Sequence, residues 1–180
     1  MIVIMSASFA ATLRPLSSRS RRLAADAHLF HRGDQVSHLF LVVEGRIELL
    51  RFAEDGSRLE LQHAGPDDIL AEASVFSPRY HCDAIATAPC VVASISRQRF
   101  RDRLRGDPHF AEAWEQHLAQ EIQALRLRSE ILSLRTVAAR LDAWLAWHGD
   151  APPRGEWKHL ADQIGVSPEA LYRELARRRT

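Results

Sequence analysis

The sequence predicts an α+β fold, an antiparallel sandwich or barrel of short strands followed by a long helix and a helix-turn-helix. Three features predict it. Between His28 and Ile95, short runs of Val, Leu, Ile and Phe are interrupted by turn signals at Gly33-Asp34, Glu44-Gly45, Asp55-Gly56 and Gly65-Pro66. From Asp107 to Leu134, apolar residues recur at helical spacing. The stretch from Glu156 onward carries two short helical patterns around Gly165-Val166-Ser167.

Composition bounds the function. The chain of 180 residues, 46% of them hydrophobic, can bury a sizeable core, as one large domain or two small ones. Its formal net charge of +1 neither demands nor excludes nucleic acid, so any basic surface is local. Two cysteines, Cys82 and Cys90, without a CxxC pair argue against a disulfide framework or structural zinc, and a reducing cytoplasm is the expected compartment. The opening MIVIM is too short for a membrane span and lacks the basic flank of a signal peptide. A soluble, cytoplasmic protein is expected.

The first 24 residues mix Ser, Arg and Ala, and SSRSRRLAADA reads as a short helix. Within the strand region, Asp55-Gly56 is the best hairpin turn, because IELLRF and RLELQ flank it and the dipeptide suits a type I′ turn. The strand texture breaks between Asp68 and Asp83, where ILAEASVF suggests a short helical turn and SPRYHCDA a polar loop. RQRFRDRL is helical. In the long helix, Asp107 caps and Pro108 fits the first helical position. Phe110, Trp114, Leu118, Ile122, Leu125 and Leu132 then draw one apolar stripe, too long for a small domain to cover. A symmetric copy is the simplest cover, through Trp114, Leu118, Ile122, Leu125 and Leu132. TVAARLDAWLAWH forms a further helix, stopped by Gly149 and followed by the DAPPRG linker.

The final stretch meets the needs of a helix-turn-helix. Ala161 is small where the helices cross, Gly165 tolerates positive φ, and Leu160, Ile164, Val166, Leu171 and Leu175 lock the pair. Ser167 caps the second helix and Pro168 opens it. Its outward face carries Glu169, Tyr172, Arg173 and Arg177. Arg bonds guanine bidentately, Glu accepts from cytosine, and Tyr reaches a phosphate or thymine methyl. Arg173 and Glu169 are therefore the expected base readers, with Ser167, Tyr172 and Arg177 completing the DNA-binding set.

This order of elements, with FHRGD, LFLVVEGRIEL, DDILAEASVF and LADQIGVSPEALYREL, resembles the catabolite activator and fumarate-nitrate regulator (CRP/FNR) family of bacterial transcription factors over residues 28–179. The resemblance implies an antiparallel β-roll (a double-stranded β-helix, cyclic-nucleotide-binding-like) as sensor domain at 1–106, a dimerisation helix at 107–134 and a DNA-binding domain at 135–180. It implies a homodimer on palindromic double-stranded DNA, RNA polymerase as a further partner, and no membrane. Glu169 and Arg173 then sit where the family's base-reading Glu and Arg sit.

The pocket departs from that pattern. Where cyclic-nucleotide-binding members carry Gly-Glu, Arg-Ser and polar long-helix residues, this chain has Ala71-Glu72, Cys82-Asp83 and Leu125-Arg126. Without the phosphate anchor, and with a carboxylate in its place, cyclic AMP is not an expected ligand. Within Tyr80-His81-Cys82-Asp83, His81 and Cys82 are the candidate metal or haem ligands, with His63, His31 or Cys90 as helpers, since imidazole, thiolate and carboxylate together suit a transition metal; otherwise no cofactor is expected. The chain ends with the recognition helix, without the family's β-wing, which is expected to weaken DNA affinity.

The leading expectation is a sequence-specific, homodimeric transcription regulator. The alternative is a small-molecule or metal-sensing module with weak or no DNA binding. An enzyme is not expected: His28 and His31 lack the H-x-H spacing of cupin metal sites, and no nucleophile elbow, P-loop or catalytic carboxylate pair is present.

Overall fold

The computed structural model describes residues 9–178. The opening MIVIM, expected to be neither a signal peptide nor a membrane span, lies outside the described residues. Among those described, no helix is long and apolar enough to cross a membrane. The chain divides into two compact units, Met1–Glu115 and Gln116–Thr180.

The first unit is built on eight strands: β1 (Arg19–Leu23), β2 (His28–Phe30), β3 (His38–Glu44), β4 (Ile47–Phe52), β5 (Arg58–Ala64), β6 (Ile69–Leu70), β7 (Asp83–Ala86) and β8 (Cys90–Ser96). They form two four-stranded sheets, ordered β1-β8-β3-β6 and β2-β7-β4-β5, and every strand pair is antiparallel. Phe30, Phe40, Ile47, Leu49, Leu70 and Tyr80 belong to the core between them. Phe30 stacks on Tyr80 at 4.0 Å, and the Tyr80 hydroxyl donates to the His38 carbonyl at 2.8 Å, so the one polar atom of this aromatic pair is satisfied.

Two local expectations are corrected. Residues 19–23, expected within a short helix, are β1, paired along their length with β8. Helix propensity in an Arg/Ser run is weak, and the ladder offered by β8 outweighs it. The β4–β5 turn at Asp55-Gly56 is not type I′, which needs positive φ at both residues, because only Gly56 has it, at 81°. Gly56 N–H donates to the Ala53 carbonyl and Ala53 N–H to the Ser57 carbonyl, both at 2.9 Å. That is a longer turn closed by a left-handed glycine, and the Asp55 carboxylate, which accepts from Ser57 N–H at 2.9 Å, holds it.

A second cluster joins three helices: α1 (Phe9–Leu13), α2 (Arg97–Gly106) and the beginning of α3 (Pro108–Ser133). Phe9 packs on Phe110 at 5.2 Å and on Trp114 at 5.4 Å, and Phe100 meets Trp114 edge-on at 4.9 Å. Asp107 caps α3 as expected, its carboxylate accepting from His109 and Phe110 N–H at 3.1 Å each.

The second unit contains the rest of α3, then α4 (Val137–His148), α5 (Trp157–Gln163) and α6 (Pro168–Arg177). Ile131 from the end of α3 joins Leu141, Trp144, Trp157, Leu160, Ile164 and Leu171 in one core. Thr136 caps α4 through Ala139 N–H at 3.1 Å, and Gly149 ends it at φ 86°.

At the β3–β4 turn, Gly45 has φ 83°, and a Cβ placed there would lie 2.5 Å from both Cys90 Cβ and the Pro89 carbonyl oxygen. Strained backbone and a collision with the backbone of another segment combine at Gly45. Gly45→Ala is expected to lower unfolding free energy by roughly 2–4 kcal/mol. Urea denaturation checks this; an unchanged midpoint would contradict the close approach.

Candidate functional site

The turn between α5 and α6 forms because it satisfies its own backbone. Gly165 has φ 65°, and Val166 N–H reaches back to the Ala161 carbonyl at 3.0 Å, closing the end of α5. Ser167 then starts α6, its hydroxyl accepting from Ala170 N–H at 3.2 Å. Leu171 and Leu175 turn inward, leaving Ser167, Glu169, Tyr172, Arg173 and Arg177 all exposed.

These five are not equivalent. Arg173 makes no hydrogen bond among the described residues, and its nearest charge effect is on Glu169. The Glu169 carboxyl is held below the usual range, first by its own backbone N–H, then by Ser167 and, more weakly, Arg173. Both side chains remain available to an external partner. Tyr172 instead leans on Trp157, ring centres 5.6 Å apart. Arg177 is already a fork on Glu174, with nitrogen–oxygen distances of 3.1 and 2.8 Å. Arg178 joins the same carboxylate at 2.7 Å and also reaches Asp142 at 2.6 Å and the Ala138 carbonyl at 3.1 Å, tying α6 to α4. The hydrogen bonds from Arg177 and Arg178 pull the Glu174 carboxyl down to about 2. The i,i+3 and i,i+4 spacings of Glu174 with Arg177 and Arg178 are those of helix-surface pairs, whereas the Arg178–Asp142 contact joins residues distant in sequence.

Arg140, which sequence reasoning missed, fastens the turn. Its guanidinium donates to the carbonyls of Leu132 (3.0 Å), Leu134 (2.8 Å), Ile164 (3.1 Å) and Gly165 (2.7 Å). One side chain thus links the end of α3 to the turn before α6. Gly165 itself lies so close to Leu132 that a Cβ there would sit 2.4 Å from its Cδ2. Only a helical stripe containing an Arg was legible in TVAARLDAW, since its acceptors lie far along the chain.

Along α3, the expected seam separates into two parts. Trp114 is buried against Phe9 and Phe100 of its own unit and has no face to offer a partner, which corrects its place in the seam. Leu118 is half-buried, whereas Ile122, Leu125 and Leu132 are 49%, 61% and 41% exposed. Arg126 is exposed beside them.

In the first unit, Ala71 and Glu72 open a short 3-10 turn, Glu72–Ser74. Ala71 is buried with φ 69°, a left-handed conformation that costs an L residue about 1 kcal/mol. Cys82 is 2% exposed and its thiol is pushed up to about 11, chiefly by burial, with Arg51 opposing and Glu72 and Asp83 adding. Arg51 is engaged through Nε on the His81 carbonyl at 2.9 Å.

The expected His81-Cys82 metal pair is not brought together. Adjacent residues leading into a strand face opposite ways, so Cys82 enters the core while His81 is exposed, its Nδ1 2.8 Å from the Ser74 hydroxyl. Neither belongs to the groups of metal-binding side chains that converge among the described residues. Those groups are His28, His31, Asp83 and Glu48, Glu60, His63, which strand pairing assembles from distant segments.

Residues 20–107 match the family described as cyclic nucleotide-binding domain. The probable transcriptional regulator flp of Lacticaseibacillus casei is 26% identical over 80% of this chain and 69% of its own length. The cAMP-activated global transcriptional regulator CRP of Pasteurella multocida is 26% identical over 63% of this chain, which spans 55% of that relative. Among solved structures, FixK2 of Bradyrhizobium japonicum superposes with a TM-score of 0.70 at 17% identity, covering 88% of this chain and 83% of its own. The paired antiparallel sheets and long α3 share the fold of that structure, and the chain is similar to these transcriptional regulators, with residues 20–107 as its cyclic nucleotide-binding-like part.

Proposed function

We propose that the chain is a homodimeric, sequence-specific DNA-binding regulator, reading an inverted repeat through α6, and that cyclic AMP is not its signal. The observation that carries this reading is the pair Glu169 and Arg173, both exposed on the capped second helix of a helix-turn-helix, with Arg173 making no hydrogen bond among the described residues. Arg173 takes guanine O6 and N7, and Glu169 accepts from cytosine N4. Tyr172, supported on Trp157, and the fork of Arg177 on Glu174 shape the flank of the helix rather than read bases. Ser167 contributes through its cap.

Dimerisation is supported by the exposed stripe Ile122, Leu125 and Leu132, whose spacings of three and seven are those of a helix-pair seam. A two-fold axis along it sets two α6 helices to successive major grooves about 34 Å apart, hence the inverted repeat.

The case against cyclic AMP rests on charge. A cyclic phosphate is an anion, and where the cyclic-nucleotide-binding members anchor it with arginine and serine this chain has the buried Cys82 and the acidic Asp83. The name of the Pasteurella relative, a cAMP-activated regulator, therefore does not carry over to this chain.

Arg173→Ala is expected to weaken operator binding by about 1–3 kcal/mol in a gel shift and to relax preference at one base pair per half-site. Unchanged affinity and preference would remove Arg173 from the reading set. Calorimetry with micromolar cyclic AMP is expected to give no binding heat; binding that Glu72→Ala abolishes would overturn the second half of the proposal.

A further inference from the structure

We infer that His28, His31 and Asp83 form a binding site for a zinc-class transition-metal dication. The inference rests on the first unit alone and stands whether or not the chain reads DNA.

The fold, not the sequence, assembles the three donors. His28 lies on β2 and Asp83 opens β7, and these strands pair with His28 opposite Ile85 and Phe30 opposite Ala84. His31 follows β2 in a turn whose backbone is held on several sides. Its N–H donates to the Asp34 carboxylate at 3.0 Å, its carbonyl accepts from Asp34 N–H at 3.1 Å, and Gly33 N–H reaches the Tyr80 carbonyl at 2.9 Å. One ligand atom from each of the three residues falls within 4.8 Å of the others, and the two imidazoles, stacked with centres 4.0 Å apart, bind one ion when the exposed His31 ring turns out of the stack.

Three details favour a cation. The His28 Nδ1 atom is buried and has no hydrogen-bond partner, an unsatisfied position in an otherwise ordered cluster. His31 Nδ1 and an Asp83 carboxylate oxygen are 3.4 Å apart, and two tetrahedral ligands about 2.1 Å from one ion are themselves roughly 3.4 Å apart. That same Asp83 oxygen accepts from Arg32 N–H at 3.2 Å, the kind of outer contact that fixes a metal-bound carboxylate. Two imidazoles and one carboxylate form a nitrogen–oxygen set suited to Zn²⁺, Co²⁺ or Ni²⁺, and the exposed side of His31 leaves a coordination position for water. The second converging group, Glu48 with Glu60 and His63, already has a cation in Arg58, which pairs with Glu48.

The test titrates the full chain, stripped with a chelator, with Zn²⁺ by calorimetry and with Co²⁺ by absorbance. One ion per chain is expected, and His28→Ala combined with His31→Ala, or Asp83→Asn alone, should weaken binding roughly 10–100-fold or more. His81→Ala and Glu60→Gln should leave it unchanged. Absence of Zn²⁺ binding by the unsubstituted chain, binding indifferent to the double variant, or binding lost in His81→Ala would overturn the site. The Co²⁺ spectrum of the unsubstituted chain decides independently of how the variants fold. Weak ligand-field bands without thiolate charge transfer support the site, and a strong thiolate band would assign the ion to a cysteine and refute it.

Discussion

The constraint on which this architecture depends is the length of α3. Its 26 residues extend for about 39 Å and contribute to both compact units. Neither unit covers it throughout. Its first turns are taken up by Phe9 and Phe100 through Phe110 and Trp114, and its end by the second core through Ile131. Between these ends lie Ile122 and Leu125, large apolar side chains facing water, and Leu132 is exposed just beyond Ile131. Isolated exposed leucines need no explanation, but a row at seam spacing on one helix does. In the proposed dimer that row is the surface that faces the second copy.

The rigidity at the lower end of the helix has an identifiable source. Arg140 spends its donors on four backbone carbonyls, two at the end of α3 and two at the turn that precedes α6. Charge-assisted bonds to otherwise open carbonyls hold that turn against α3, and Arg178 holds the far end of α6 against α4. The base-reading candidates thus stand on a helix whose two ends are both tied, while Glu169 and Arg173 themselves stay exposed.

What the sequence made legible was what depends on neighbours along the chain. The Asp107 cap, the stop at Gly149, the left-handed Gly165 and the Ser167 cap are local devices, and each operates at the expected residue. What it hid depends on partners distant in sequence. Arg19–Leu23 becomes a strand because β8 is there to pair with it, and Trp114 leaves the apolar stripe because Phe9 and Phe100 surround it. The bonds of Arg140 and the convergence of His28, His31 and Asp83 arise in the same way. In the pocket, it was the family resemblance that brought Glu72 and Asp83 into one site; the burial of Cys82 emerges only from packing.

The dimer is the claim on which the two-helix, inverted-repeat account turns, and the mass of the particle in solution tests it most directly. Sedimentation equilibrium at micromolar concentration is predicted to give twice the 20.4 kDa of the chain, reverting to that single mass when Ile122 and Leu125 are both replaced by Asp. A single-chain mass for the unsubstituted protein, or a dimer indifferent to those two replacements, would contradict it.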